Sequence, residues 1–359
     1  MQIGNPLDIS SEDTSPLAFA NAQNEKNILR RVVRAVDQND TLLAFQPIVK
    51  SAEPNLVFCF EALVRIREAS GQIIPASKFM PLIEELEIAR TIDCHALALG
   101  LRRLRDHPNL YLSINMSARS IGYHKWTDIL SKALQRTPSI GKRLILEITE
   151  GSAMRLPEIV IPFMRDLSQR GVGFALDDFG SGATSFRYLK DFQFDFLKID
   201  GQFIKDVEHN ADHQVLVHAL LSIARHFGMY TIAEAVETSA TSAWLNKSGV
   251  ICQQGYFFGR PTLRLDWPGA EIAQRARLSA SLHIFINRGD GAYCMFAPIT
   301  LNVASARSIS AESNLVLLRC SICFKHPRKH VQLFYQCKLG DHHDQCRNRL
   351  CSPNSGWQL

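Results

Sequence analysis

The sequence predicts an α/β protein built as a TIM-like (β/α)8 barrel, followed by an irregular C-terminal tail. Three observations predict it. Eight short, mostly apolar segments alternate with helical ones between residues 27 and 268. Strands that are apolar along their whole length are buried on both faces, as in a parallel sheet covered by helices. No Gly-x-Gly-x-x-Gly turn follows the first strand, which weakens the competing open dinucleotide-binding sheet.

The elements follow in order. Residues 1–26 are polar and read as a flexible lead-in. Asn27–Gln38 reads as a helix with Ile28, Leu29, Val32, Val33 and Val36 on one face. Leu42–Val49 and Leu56–Ile66 read as strands, and Pro75–Asp106 as a long, mainly helical stretch. Tyr111–Asn115 is a strand, Lys125–Gln135 a helix, Leu144–Thr149 a strand, and Pro157–Arg170 a helix stopped by Gly171. Gly173–Leu176 and Phe194–Ile199 supply two further strands around a glycine-spaced turn. Asn210–Phe227 has the 3.6-residue period of an amphipathic helix, with Val215, Leu216, Leu220, Ile223 and Phe227 as its apolar face and Gly228 as its stop. Tyr230–Glu237 is a strand, Ala240–Asn246 a helix, and Ile251–Phe258 the last strand.

Composition narrows the class. Of 359 residues, 46% are hydrophobic and 21% charged, which suits a globular chain with a sizeable core. No apolar run has the length of a membrane span, and the N-terminus lacks a basic start and apolar core, so a cytoplasmic protein without membrane insertion is expected. The net charge of +5 comes entirely from residues 281–359, with nine Lys/Arg against four Asp/Glu. The main body is neutral overall, so no nucleic-acid polymer is expected as its partner. Cys59, Cys94 and Cys252 stand alone in apolar or helical settings and read as reduced core thiols.

The chain is organised around Gly173–Ile199. An apolar run ends there in two adjacent carboxylates, Asp177 and Asp178, followed by the turn Phe179-Gly180-Ser181-Gly182. Adjacent carboxylates repel unless a cation lies between them, although Asp and Gly are also ordinary turn residues. Glu61, Asn115, Glu147, Asp177 and Glu234 all fall in or at the C-terminal ends of separate strands. In a barrel those ends meet on one face. A salt bridge explains one such residue; five at one mouth point to a site. Oxygen donors without histidine suit Mg²⁺, Mn²⁺ or Ca²⁺ rather than zinc. Lys198, inside an apolar strand, can hold a carboxylate, a water or a phosphate, and Arg65 offers a planar fork to a phosphate. The chemistry implied is metal-assisted hydrolysis.

The strings FEALVRI, LSINMS, LEITE, FALDDFGSG, FLKIDGQFI, AEAVE and QQGYFFGRP, in this order, resemble the EAL-domain phosphodiesterases of cyclic di-GMP over residues 27–268. The resemblance implies a barrel whose first strand runs antiparallel to the others. It implies hydrolysis of one phosphodiester bond of cyclic di-GMP to a linear dinucleotide, with Mg²⁺ or Mn²⁺. By the same resemblance, Glu61, Asn115, Glu147 and Asp177 match metal ligands and Asp178 the residue serving a second metal. Lys198 matches the lysine that positions the attacking water, and Glu234 the general base or water-holder. Gln46 and Arg65 match substrate contacts, Gln254 the glutamine at the metal-bound water, and Glu237 a further acid of the motif with a substrate-side role. Glu150 matches the glutamate that steadies the loop Asp177–Ser185. Two departures are mild: Ser181 stands where Thr is commoner, and Ala235 where the family usually has Gly, which stiffens the turn after Glu234. The resemblance also implies a homodimer through Ala183–Lys190. The short stretch before the barrel suggests a stand-alone hydrolase domain or one regulated from elsewhere.

Residues 269–359 form a Cys/His-rich extension. Cys320 and Cys323 have zinc spacing, but His326, His330, Cys337, His342, His343 and Cys346 form no clean second pair. A disordered or non-native tail is the preferred reading. The alternatives to the enzyme are a catalytically silent cyclic di-GMP receptor and an interaction module acting through this tail.

Overall fold

The computed structural model describes residues 15–180 and 189–265, and the backbone of four strands within 285–338. Helix α1 (Pro16–Asp37) leads into a hairpin of β1 (Thr41–Lys50) and β2 (Glu53–Arg67), and β3 (Ile73–Pro75) pairs with the end of β2. Then follow α2 (Met80–Ile83), α3 (Glu87–Asp106), β4 (Leu112–Asn115), α4 (His124–Arg136), β5 (Leu144–Thr149), α5 (Glu150–Arg155), α6 (Pro157–Gln169) and β6 (Gly173–Phe179). The body closes with β7 (Phe196–Ile199), α7 (Gly201–Ile204), α8 (Ala211–His226), β8 (Tyr230–Ala233), α9 (Ser239–Ser248) and β9 (Cys252–Gln254).

Eight strands close a barrel in the order β1-β9-β8-β7-β6-β5-β4-β2, with β1 returning to β2. The pairings from β2 through β9 are parallel, and β1 is antiparallel to both of its neighbours. The antiparallel strand has a simple cause. Lys50 pairs with Glu53, leaving a two-residue connection, and only antiparallel strands can be joined so tightly.

The barrel is filled in layers, because successive strand residues face opposite sides. Ile48, Cys59, Ile145, Ala175, Phe196, Ile232 and Cys252 form one buried apolar cluster inside it. Two positions further along the same strands come Gln46, Glu61, Glu147, Asp177, Lys198, Glu234 and Gln254, so a polar layer rests directly on an apolar floor. The outward faces, among them Leu112, Leu146, Phe174, Leu176 and Leu197, pack against Leu97 and Leu104 of α3, Trp126 and Leu130 of α4, and Met164 of α6 in the large outer core.

The structure departs from the sequence reading in places. Helix α1 starts at Pro16 rather than Asn27, inside the segment read as a flexible lead-in. Strand β8 stops at Ala233 because Ala235 turns into the left-handed region, and β9 stops at Gln254 because the chain turns at Gly255, whose carbonyl accepts from Phe258 N and Gly259 N. On α8, Asn210 caps the first turn as the boundary predicts, but the buried face is Val217, Leu220, Leu221 and Ala224, while Val215 and Leu216 are exposed. With apolar residues on nearly every side of this helix, period alone does not select which stripe is buried. Beyond the barrel, β10 (Phe285–Arg288) pairs with β11 (Gly291–Cys294), and β12 (Leu315–Ile322) with β13 (Val331–Lys338), both antiparallel. This backbone regularity was not read from the sequence. Apart from Cys320 in β12 and Cys337 in β13, the proposed zinc ligands lie outside the described residues, as do residues 183–188 of the dimer face. No described helix is long and apolar enough to cross a membrane.

The face assignment on α8 has a direct test. Val217→Asp buries an unpaired charge and should cost about 3–5 kcal/mol in denaturant unfolding, whereas Val215→Asp should stay within about 0.5 kcal/mol of the parent. Equal losses would contradict the observed face.

Candidate active site

Lys198 lies at the centre of the polar layer and is 1% exposed. It is inward because β7 alternates: Phe196 and Lys198 face the interior, Leu197 and Ile199 the helices. Its Nζ donates to Glu147 Oε2 at 2.8 Å. It also lies 2.8 Å from Asp177 Oδ1, 2.7 Å from Glu234 Oε1 and 3.7 Å from Glu61 Oε2. Four carboxylates from β2, β5, β6 and the end of β8 thus meet one ammonium.

Amides complete the ring. Asn115 Nδ2 donates to Glu61 Oε1 at 2.7 Å, and Gln254 Nε2 to Glu61 Oε2 at 2.6 Å and to Gln46 Oε1 at 3.2 Å. Gln46 Nε2 reaches the Gly259 carbonyl at 3.1 Å, tying β1 to the segment after β9. The buried oxygens Glu147 Oε1 and Gln254 Oε1 have no hydrogen-bond partner. A buried acceptor without a donor costs roughly 1–3 kcal/mol, and oxygens so placed suit a cation or a water.

Asp178 adopts φ +54°, a left-handed conformation that Asp tolerates better than most residues. This breaks the alternation of β6, where the pairing with β7 is irregular between Leu176 and Phe179. Neighbouring carboxylates therefore share one side: Asp177, Asp178 and Glu234 each offer an oxygen within 4.8 Å of the others. Just past β6, Gly180 N donates to Glu150 Oε2 at 2.9 Å. Glu150 itself is buried and sits outside the carboxylate cluster around Lys198.

The charges are unbalanced. Burial works against the Lys198 ammonium, but Asp177, Glu147, Glu234 and Glu61 outweigh it and hold its pKa well above the ordinary lysine value. Burial pushes Glu147 well above the usual carboxylate range, with Glu61 adding to it. Glu61 goes the other way: burial raises it, but Lys198 and the Gln254 and Asn115 amides outweigh that and hold it low. Burial, with Asp177 and Glu61 against Lys198, lifts Glu234 to about 8. Burial and Asp177 lift Asp178 to about 6. The cluster thus takes up protons where its own cation is too little.

Arg65 is half-buried, and its Nη1 donates to the Val64 carbonyl at 2.8 Å. Burial lowers its pKa, opposed by Glu61 and by Tyr256. Tyr256 and Arg260 were not singled out from sequence. The Arg260 guanidinium lies 4.4 Å from the centroid of the exposed Tyr256 ring, directly after Gly259, whose carbonyl accepts from Gln46. The available signal was the aromatic and basic run directly after the strand end that bears Gln254. Glu237 is exposed and makes no hydrogen bond or ion pair with the cluster among the described residues. The structure therefore does not bring it into the ring with the other predicted side chains. Cys59, Cys94 and Cys252 are free and buried, and burial raises their thiol pKa values.

A pH dependence follows. Without metal, Glu234 and Asp178 keep protons to about pH 8 and about pH 6, and burial likewise raises Asp93 to about 6. In the unfolded chain these groups ionise near about pH 4. The folded state thus binds more protons than the unfolded state above that value, and stability falls as pH rises. His95, pushed down by burial, opposes this only near its own range. In chelator, the thermal midpoint should fall from about pH 5 to about pH 8, and Glu234→Gln should flatten the upper part. A midpoint that rises across this window would contradict the assignment.

Comparison with known proteins places this geometry. The profile of the EAL domain matches residues 29–261. The "Bifunctional diguanylate cyclase/cyclic di-GMP phosphodiesterase MucR" of Pseudomonas aeruginosa is 32% identical over 247 residues, covering 67% of this chain and 36% of that protein. The "Cyclic di-GMP phosphodiesterase PdeB" of Shewanella oneidensis is 32% identical over 238 residues, covering 64% of this chain and 28% of that protein. The chain thus spans about a third of the length of these two curated relatives. Among solved structures, the "PaMucR Phosphodiesterase, c-di-GMP complex" superposes with a TM-score of 0.58 at 31% identity, covering 66% of this chain and 97% of that one. The profile runs from the second half of α1 to the residues after β9, which is the whole of the barrel that carries the ring around Lys198. The chain belongs to the EAL-domain family.

Proposed function

We propose that this chain is a metal-dependent phosphodiesterase that hydrolyses one phosphodiester bond of cyclic di-GMP to give a linear dinucleotide. One observation carries the reading: four buried or nearly buried carboxylates surround a single ammonium and leave acceptor oxygens without donors. The relatives named as cyclic di-GMP phosphodiesterases supply the substrate class.

The donor set fits hard divalent cations. Glu61, Asn115, Glu147 and Asp177 would hold one Mg²⁺ or Mn²⁺, and Asp178 beside Asp177 would serve a second, with Glu234 next to it. Bound there, the cations stabilise charge on the phosphoryl oxygens and lower the pKa of a water. Lys198 gives its three N–H groups to Glu147, Asp177 and Glu234 here; with cations holding those carboxylates, one N–H would be released to orient that water. Glu234, 20% exposed at its side chain where the other three are deeper, would accept its proton. The new P–O bond forms as one ribose ester bond breaks, and the leaving oxygen takes up a proton. Arg65 meets the phosphate with its planar fork. Gln254 holds Glu61, and its free carbonyl oxygen can accept from a water. The rim residues Gln46, Tyr256 and Arg260 face the nucleotide, with Tyr256 offering a planar ring. Glu237 lies further out, where it would meet substrate or solvent. The dimer through residues 183–190 remains part of this reading.

Purified protein should release linear dinucleotide from cyclic di-GMP with Mg²⁺ or Mn²⁺ and none with chelator. Glu234→Gln should lower kcat by about 10²–10⁴-fold while cyclic di-GMP affinity stays within about threefold. Tight binding of cyclic di-GMP with no product under either metal would make the chain a receptor rather than an enzyme.

A further inference from the structure

The turn that carries Glu234 is held from several sides. Glu234 N donates to the Ile199 carbonyl at 3.2 Å and Val236 N to the Gln254 carbonyl at 3.0 Å, so both flanks of Ala235 are tied to barrel strands. Phe257 N donates to the Val236 carbonyl at 3.0 Å. Gly255 lies so close that a Cβ there would be 2.1 Å from the Val236 carbonyl oxygen.

Between these ties Ala235 has φ +50°. A residue with a Cβ enters this region at a cost, because the methyl crowds its own carbonyl; glycine enters freely. The Ala235 methyl faces Gly201, where a Cβ would lie 2.6 Å from it. Gly201 opens α7 directly after Asp200, one residue past the strand of Lys198. The space between the two turns thus admits one methyl and no second. Ala235 itself is exposed, so core burial does not account for the methyl.

We propose that Ala235 is a positioning residue: its methyl, wedged against Gly201, fixes the turn and keeps the Glu234 carboxylate 2.7 Å from Lys198. The catalytic arm of the inference rests on the phosphodiesterase reading; the packing arm does not. A positioning methyl in a strained turn predicts opposite signs in one variant. Removing it relieves the backbone and frees the carboxylate.

The test uses the full chain with Ala235→Gly, Gly201→Ala and the double variant. Ala235→Gly should raise the thermal midpoint by roughly 1–3 °C. It should lower kcat about tenfold at a KM within about twofold, and raise the midpoint of a Mn²⁺ titration about threefold. Gly201→Ala should lower the thermal midpoint by about 4 °C or more, and the double variant should recover most of that loss, since the methyl only changes side. A double variant no more stable than Gly201→Ala, or an Ala235→Gly protein with parental kcat and Mn²⁺ midpoint, would overturn the proposal. If the parent chain hydrolyses no cyclic di-GMP, the functional reading fails alone, and the Mn²⁺ midpoint and the double variant still decide this one.

Discussion

One ammonium facing four carboxylates is the constraint on which the rest of the structure depends. Lys198 makes it possible to bury Glu61, Glu147, Asp177 and Glu234 in one layer, yet it neutralises only one of them. Hydrogen bonds from Asn115 and Gln254 support Glu61, and protons on Glu234 and Glu147 relieve part of the remainder. An arrangement left short of positive charge in this way has little value as a structural salt bridge, because buried ions cost several kcal/mol each unless fully compensated. It makes sense as a receptacle for cations that are not part of the polypeptide.

The barrel delivers this layer through alternation. Each interior strand brings a small or apolar side chain and then, two residues on, a polar one. The floor of Ile48, Cys59, Ile145, Ala175, Phe196, Ile232 and Cys252 keeps water from reaching the layer from below. Interactions above it act at low dielectric, which strengthens them and makes any unpaired atom costly. Two left-handed residues, Asp178 and Ala235, then break the alternation where the strands end. The first brings adjacent carboxylates to one side, and the second sets the turn after Glu234. Regular strands place most of the ring, and strained turns place its outermost acids.

Much of this was legible because a charged or amide residue inside an apolar strand stands out. Glu147 in LILEIT and Lys198 in FLKI could not be surface residues, and β5 has the bounds its apolar run predicts. The direction of β1 was also within reach: the few residues between the first two strands are too short for a parallel crossover, which needs a dozen or more. The resemblance implies the same direction. The buried face of α8 differs from the expected one because Leu216 and Val217 both continue into apolar residues three and four positions on, so period alone supports either stripe. The left-handed turn at Ala235 has no signature in residue type, since alanine rarely enters that region, and it ends β8 earlier than the apolar run suggests. Tyr256 and Arg260 were overlooked because their pairing depends on the turn after Gln254 and not on the strand pattern.

The central claim is that protons and Lys198 stand in for divalent cations in the carboxylate layer. The measurement that tests it most directly is calorimetric titration of the metal-free chain with Mn²⁺ near neutral pH in two buffers of different ionisation enthalpy. The account predicts specific binding with release of protons, because Glu234, lifted to about 8, must ionise when a cation arrives. Absence of saturable binding, or binding with no proton release, would contradict it.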